Sequence, residues 1–98
     1  MVHYLYILYS NKVDRYYVGE SVDPVDRSIQ HNEHLYTGSA TSIANDWILQ
    51  IAVICVDRSH ARRLEKWIKS QKSRTTIKRM IEEDQYRNYQ VDRFRELQ

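Results

Sequence analysis

Polar and apolar positions divide the chain into short, well-punctuated elements. His3 to Tyr9 is rich in aromatic and β-branched residues and predicts a strand. Ser10 to Asp14 is polar and reads as a turn, and Arg15 to Gly19 resumes strand character through Tyr16-Tyr17-Val18. Two strands joined so tightly predict an antiparallel hairpin. Asp23-Pro24 opens a helix: Asp caps the free amides, and Pro in the first helical position sacrifices no hydrogen bond. That helix is expected to reach about Glu33, with Val25 and Ile29 facing inward one turn apart. His34 to Asn45, with Gly38 and small polar residues, is the longest loop, a place where function often sits.

Trp47 to Val56 is apolar almost throughout, which predicts a third strand covered on both faces. Asp57 or Ser59 then caps a second helix to about Ser70, and Ser73 a shorter one through Glu83, with Ile77, Met80 and Ile81 as its buried stripe. Residues 84–98 have weak periodicity and fit a docked helix, a frayed tail or a partner-binding segment. The order β-β-α-β-α-α is that of an α/β (α+β) domain, one small sheet with helices against it. Residues 1–83 are expected to form the domain and 84–98 a tail or short helix.

Size and charge narrow the functional classes. With 98 residues the chain supports one modest core. No stretch approaches the roughly 20 apolar residues of a membrane span, so no membrane partner is expected. The N-terminus lacks the basic start and small-residue cleavage site of a signal peptide. The single cysteine, Cys55, excludes an internal disulfide and a cysteine-rich zinc site, and suits a buried thiol in a reducing cytoplasm. The net charge of +2 hides an asymmetry: residues 1–56 carry three basic and six acidic side chains, residues 57–98 twelve basic and seven acidic. A basic second half is the footprint of a phosphate-binding face, although basic helix faces are also commonly just solvated.

Within that half one carboxylate stands out. From Arg58 to Arg79 there are nine Lys/Arg and a single acid, Glu65. Glu65 falls one turn after Ala61 and beside Leu64 and Ile68, so it shares the apolar side of its helix. An ionised Glu there needs a cation, a hydrogen bond or an ion pair such as a buried Arg. Arg27 and His31, four apart, share a face of the first helix, and Tyr6 and Tyr17 lie on adjacent strands. Singly each has an ordinary reading: core tyrosines, a solvated Arg, a surface His. Together they supply what phosphodiester hydrolysis needs. A carboxylate holds a hard divalent cation, a guanidinium neutralises the transferring phosphate, and a phenol or imidazole takes a proton from water.

These residues carry a resemblance. Tyr4-Leu5-Tyr6, Tyr17-Val18-Gly19, the helix from Asp23 to Asn32 carrying Arg27 and His31, and Ala61 to Lys69 carrying Glu65 resemble, in order and spacing, the motifs of GIY-YIG nucleases. The likeness covers roughly residues 3–83 and is greatest to the small stand-alone bacterial members. It departs in the first signature, where Tyr4-Leu5 replaces Gly-Ile, and in Glu20, a carboxylate directly after the second. The resemblance implies a three-stranded antiparallel sheet flanked by helices and a metal-dependent DNA endonuclease. Glu65 would bind one Mg²⁺ or Mn²⁺ and Arg27 the scissile phosphate. Tyr6 or Tyr17, or alternatively His31, would activate the water. Arg62, Arg63, Lys66, Lys69 and Lys72 would contact the DNA, and DNA structure, a protein partner, a second copy or the 34–45 loop would supply specificity. Two other readings stay open: a non-catalytic nucleic-acid-binding module on the same scaffold, and a protein-interaction module using Tyr86 to Leu97.

Overall fold

The computed structural model describes residues 1–34 and 40–95. Strands β1 (His3–Ser10) and β2 (Arg15–Ser21) form the hairpin, followed by α1 (Pro24–Asn32), a 3₁₀ turn (Ala40–Ile43), β3 (Ile48–Cys55), α2 (Arg58–Gln71), α3 (Arg74–Glu82) and α4 (Asp84–Arg93). The sheet is antiparallel with strand order β2-β1-β3. The expected α+β order holds, with the 3₁₀ turn and α4 added to it. Caps set the helix starts: the side chains of Asp23, Asp57 and Ser73 accept from the backbone N–H of Asp26, His60 and Thr76. Ser59, the alternative cap of α2, lies inside that helix.

The sheet order reassigns the burial expected of the strands. β1, not β3, is the strand covered on both faces: Leu5, Tyr6, Ile7 and Leu8 are all buried in succession. β3 lies at an edge and is only partly covered: Ile51 and Val53 pack on one core and Leu49 on the other, leaving Ile48 and Ile54 more than half exposed at 59% and 58%. An apolar run does not reveal a strand's place in the sheet order, and pairing partners decide it. Val25 and Ile29 are also exposed rather than inward, because α1 turns Pro24 and His31 toward the protein instead. The polar residues of that inner face have partners on the sheet that its apolar residues would displace.

Each face of the sheet has its own core. Against one face, α2 packs Ala61, Leu64 and Ile68 onto Leu5, Ile7 and Val18, and Met80 of α3 and Val91 of α4 complete the cluster with Cys55. Against the other, Tyr6 and Leu8 pack with Ala44 and Trp47. Ile77 and Ile81 lie partly buried against the first core beside Met80, as the expected stripe of α3.

Of the three options for the C-terminal segment, residues 84–93 adopt the docked helix, whereas 96–98 lie outside the described residues. Docking rests on hydrogen bonds as much as on Val91. His60 Nδ1 accepts from the Val56 N–H at 3.1 Å, and its Nε2–H donates to the Val91 carbonyl at 2.8 Å. Arg63 donates to the carbonyls of Phe94 and Arg95, and the Trp67 and Phe94 rings lie 5.6 Å apart. Among the described residues no helix is long and apolar enough to cross a membrane.

His60 therefore joins the end of β3 to α4 through a fully buried ring. His60→Leu, which keeps the volume but leaves both backbone groups without a partner, should destabilise by about 2 kcal/mol or more. A lowered urea midpoint at unchanged m-value is the expected outcome; an unchanged midpoint would remove His60 from this role.

Candidate active site

Strand register builds the floor of the site. Tyr6 faces Gly19 across the β1–β2 ladder, and Leu8 faces Tyr17, so the two tyrosines are diagonal neighbours on one face. Their ring centroids are 6.3 Å apart. Gly19 makes this possible: a Cβ there would sit 2.6 Å from the Tyr6 hydroxyl oxygen and 2.7 Å from Cζ. The Tyr6 ring thus leans across a strand position where only a bare Cα leaves room.

From α1, two polar side chains converge on the same phenol. The Tyr6 hydroxyl lies 3.0 Å from His31 Nε2, and the positive charge of Arg27 acts on the same phenol. On its other side, His31 Nδ1 meets Thr41 Oγ1 in the 3₁₀ turn at 2.6 Å. Asn32, the next residue, fastens the end of α1 to the sheet: its amide donates to the Trp47 carbonyl at 2.9 Å and accepts from the Trp47 N–H at 2.7 Å.

Burial and charge tune this network. The Tyr6 hydroxyl is pushed well above the usual phenol range, first by burial, then by Tyr17 and Glu65, with Arg27 pulling the other way. His31 is lowered from 6.5 to about 4, by burial and by the neighbouring Arg27 charge. Near neutral pH the pair is a protonated phenol bonded to a neutral imidazole.

Glu65 reaches the site from α2 beyond Tyr17. Its carboxylate is partly buried, and Lys69 one turn on donates to Oε2 at 2.6 Å. An ordinary ion pair is therefore present, with a surface Lys rather than a buried Arg. The Lys69 ammonium also lies 5.5 Å from the centre of the Tyr17 ring. Glu65 opens onto a groove of about 380 Å³ edged by Arg62, Arg63, Lys66 and Lys69. Four of the five expected site residues, Tyr6, Tyr17, Arg27 and His31, thus gather on one face of the sheet, and the Glu65 carboxylate joins them electrostatically.

The remaining candidates divide. Arg62 and Lys66 are exposed beside Glu65, whereas the Arg63 donors are committed to the Phe94 and Arg95 carbonyls. Lys72 lies further along, at the corner between α2 and α3. Glu20 turns to the opposite face, opposite Leu5, where it pairs with His3 Nδ1 at 3.0 Å and Arg58 Nε at 3.4 Å. Among the described residues no group of three or more His, Cys, Asp or Glu is placed to hold a metal.

The model of the GIY-YIG catalytic domain matches residues 2–79, most of the chain. This chain belongs to the GIY-YIG family. No match to a curated protein or to a solved structure was found. The family is of nuclease type, and the matched span contains every member of the cluster. The degenerate first signature, Tyr4-Leu5-Tyr6, and the second, Tyr17-Val18-Gly19, lie side by side in the hairpin, with Tyr6 directly opposite Gly19. Replacing Gly-Ile with Tyr-Leu leaves the phenol in place, because Leu5 faces the other core.

Thr41 and Asn32 gave no sequence signal of the contacts they make, and Lys69 was expected at the DNA rather than at Glu65. Thr41 lies in a stretch of small polar residues without periodicity, and Asn32 is silent until its partner Trp47 is known. Lys69 could have been found as Glu65's partner from the i, i+4 spacing of opposite charges. Within the 34–45 loop, residues 35–39 lie outside the described residues.

The depressed His31 gives a stability signature. Between pH 6.5 and about 4 the unfolded chain binds a proton that the folded ring refuses, so stability falls as pH is lowered through that window. Wild type should lose about 2–3 kcal/mol from this group between pH 7 and pH 4.5, and His31→Gln should lose that component. Urea titrations at the two pH values measure it; equal pH dependence in the two proteins would contradict a buried neutral His31.

Proposed function

We propose that this chain is a metal-dependent endonuclease that hydrolyses phosphodiester bonds in DNA. The observation that carries this reading is the convergence of Arg27 and His31 on the Tyr6 phenol, with Tyr17 and Glu65 beside it, inside a nuclease-type domain. A purely structural cluster has no need for a guanidinium, an imidazole and two phenols where apolar side chains would pack more cheaply.

Glu65 suits a Mg²⁺ or Mn²⁺ ion that keeps most of its ligands as water and phosphate oxygens, since Mg²⁺ sites commonly use only one or two carboxylates. When bound, such an ion would polarise the phosphoryl oxygen and stabilise the leaving group. The other steps fall to side chains. Arg27 presents a planar fork to the transferring phosphate. Tyr6, held protonated between Arg27 and His31, positions the reacting groups rather than removing a proton. Tyr17, half-buried and lining the adjacent groove, would be the phenol that meets the attacking water. One site per chain implies nicking unless two chains act together.

The Glu65–Lys69 pair also favours a second reading, because it satisfies the carboxylate without a metal. On that reading the domain binds nucleic acid and does not cut it. Supercoiled plasmid and branched DNA incubated with Mg²⁺ or Mn²⁺ separate the two. The nuclease reading expects nicking by wild type, none by Glu65→Ala, and a loss of roughly 100-fold in Arg27→Lys, where charge survives but the fork does not. Absence of cleavage with salt-sensitive DNA binding equal in all three proteins would establish the binding module instead.

A further inference from the structure

A second groove begins where the candidate site ends. It holds about 540 Å³, within the range of small-ligand sites, and shares Tyr17 and Lys69 with the cluster. It runs along β2, which is the open edge of the sheet, toward the corner between α2 and α3. The floor is apolar, from Val18, Ile68 and Ile77. The rim is cationic, from Arg15, Lys69, Lys72 and Arg74.

Two features make this more than a patch of surface lysines. Arg74 is anchored at both ends of its guanidinium environment: it pairs with Asp14 and its Cζ sits 5.2 Å from the centre of the Tyr16 ring, which in turn packs 4.8 Å from Tyr9. Asp14 is fixed for that purpose in the turn, at φ 52°, and also accepts from the Tyr9 hydroxyl. Lys72 ends α2 in the left-handed region at φ 49°, a conformation that Gly usually supplies. A groove for duplex phosphates needs only the cations. An apolar floor with a preorganised guanidinium plane above it fits a flat, weakly polar ring joined to a phosphate.

We propose that this groove seats an unpaired nucleotide of the DNA strand next to the one being cut, its base on the apolar floor against the Arg74 plane and its phosphate at Lys72. The assignment rests on the nuclease reading for its biological meaning, and names a single-stranded or frayed segment as the substrate feature recognised. Base seating itself needs no cleavage.

Its test is therefore a binding measurement without metal. Fluorescein-labelled oligothymidylate, an abasic oligonucleotide of the same length and a duplex of the same length are titrated in EDTA and followed by anisotropy. Wild type should bind oligothymidylate at least about 10-fold more tightly than the abasic strand, since stacking of one base is worth about 1–3 kcal/mol. Arg74→Lys, which keeps the charge and loses the plane, should erase most of that preference. Lys72→Gln should weaken both strands alike. Equal affinity for oligothymidylate and abasic DNA, a duplex bound more tightly than either, or a preference that survives Arg74→Lys would each overturn the proposal. Those outcomes say nothing against nicking, which is read separately on plasmid. A protein that shows the base preference but never cuts would instead retain the groove and lose the nuclease reading.

Discussion

The site depends on one cross-strand contact: the Tyr6 ring resting over the bare Cα of Gly19. That contact fixes the tilt of the phenol, and the tilt decides where its hydroxyl meets α1. Because β1 is the central strand, Tyr6 is almost fully buried, so its hydroxyl must find partners within the protein. His31 and Arg27 are those partners. Their demand explains why α1 turns a polar face inward and leaves Val25 and Ile29 at the surface. Polar satisfaction outranks apolar burial here, since an orphaned buried hydroxyl costs more than a half-exposed Ile.

The two faces of the sheet divide the work. The α2 face holds the larger apolar cluster and most of the packing, including the docking of α4 through His60. The α1 face is more polar and carries the candidate residues Tyr6, Tyr17, Arg27 and His31. Glu65 connects them: it belongs to α2, yet its charge is felt by Tyr6 on the other side of the edge strand β2. This arrangement puts the carboxylate at the rim, partly buried and next to the basic groove, rather than inside either core.

Much of the fold was legible because its punctuation is local. Asp23-Pro24, Asp57 and Ser73 mark helix starts by capping chemistry, and the short polar turn marks the hairpin. Strand order was not legible, since the apolar run of β3 and the tyrosine-rich run of β1 suggest the reverse of their actual burial. Tyrosine hides core positions behind a polar label. The site residues were visible as a spaced set of chemical types, but their connections were not. The Thr41–His31 bond and the Asn32–Trp47 clamp join residues brought together by tertiary structure, which no periodicity encodes.

The central claim is that Tyr6, seated on Gly19, organises a working phosphodiesterase site. Metal-dependent nicking by wild type beside Gly19→Ala tests it most directly. The added methyl would fall 2.6 Å from the Tyr6 hydroxyl oxygen and 3.0 Å from Tyr17 Cε2, so it must shift the phenol from His31, while Glu65 is not among its nearest neighbours. A folded Gly19→Ala protein, by circular dichroism, with nicking reduced at least about 10-fold is the predicted result, a loss equivalent to about 1.4 kcal/mol of transition-state stabilisation. Equal rates in the two folded proteins, or no nicking by wild type, would contradict it.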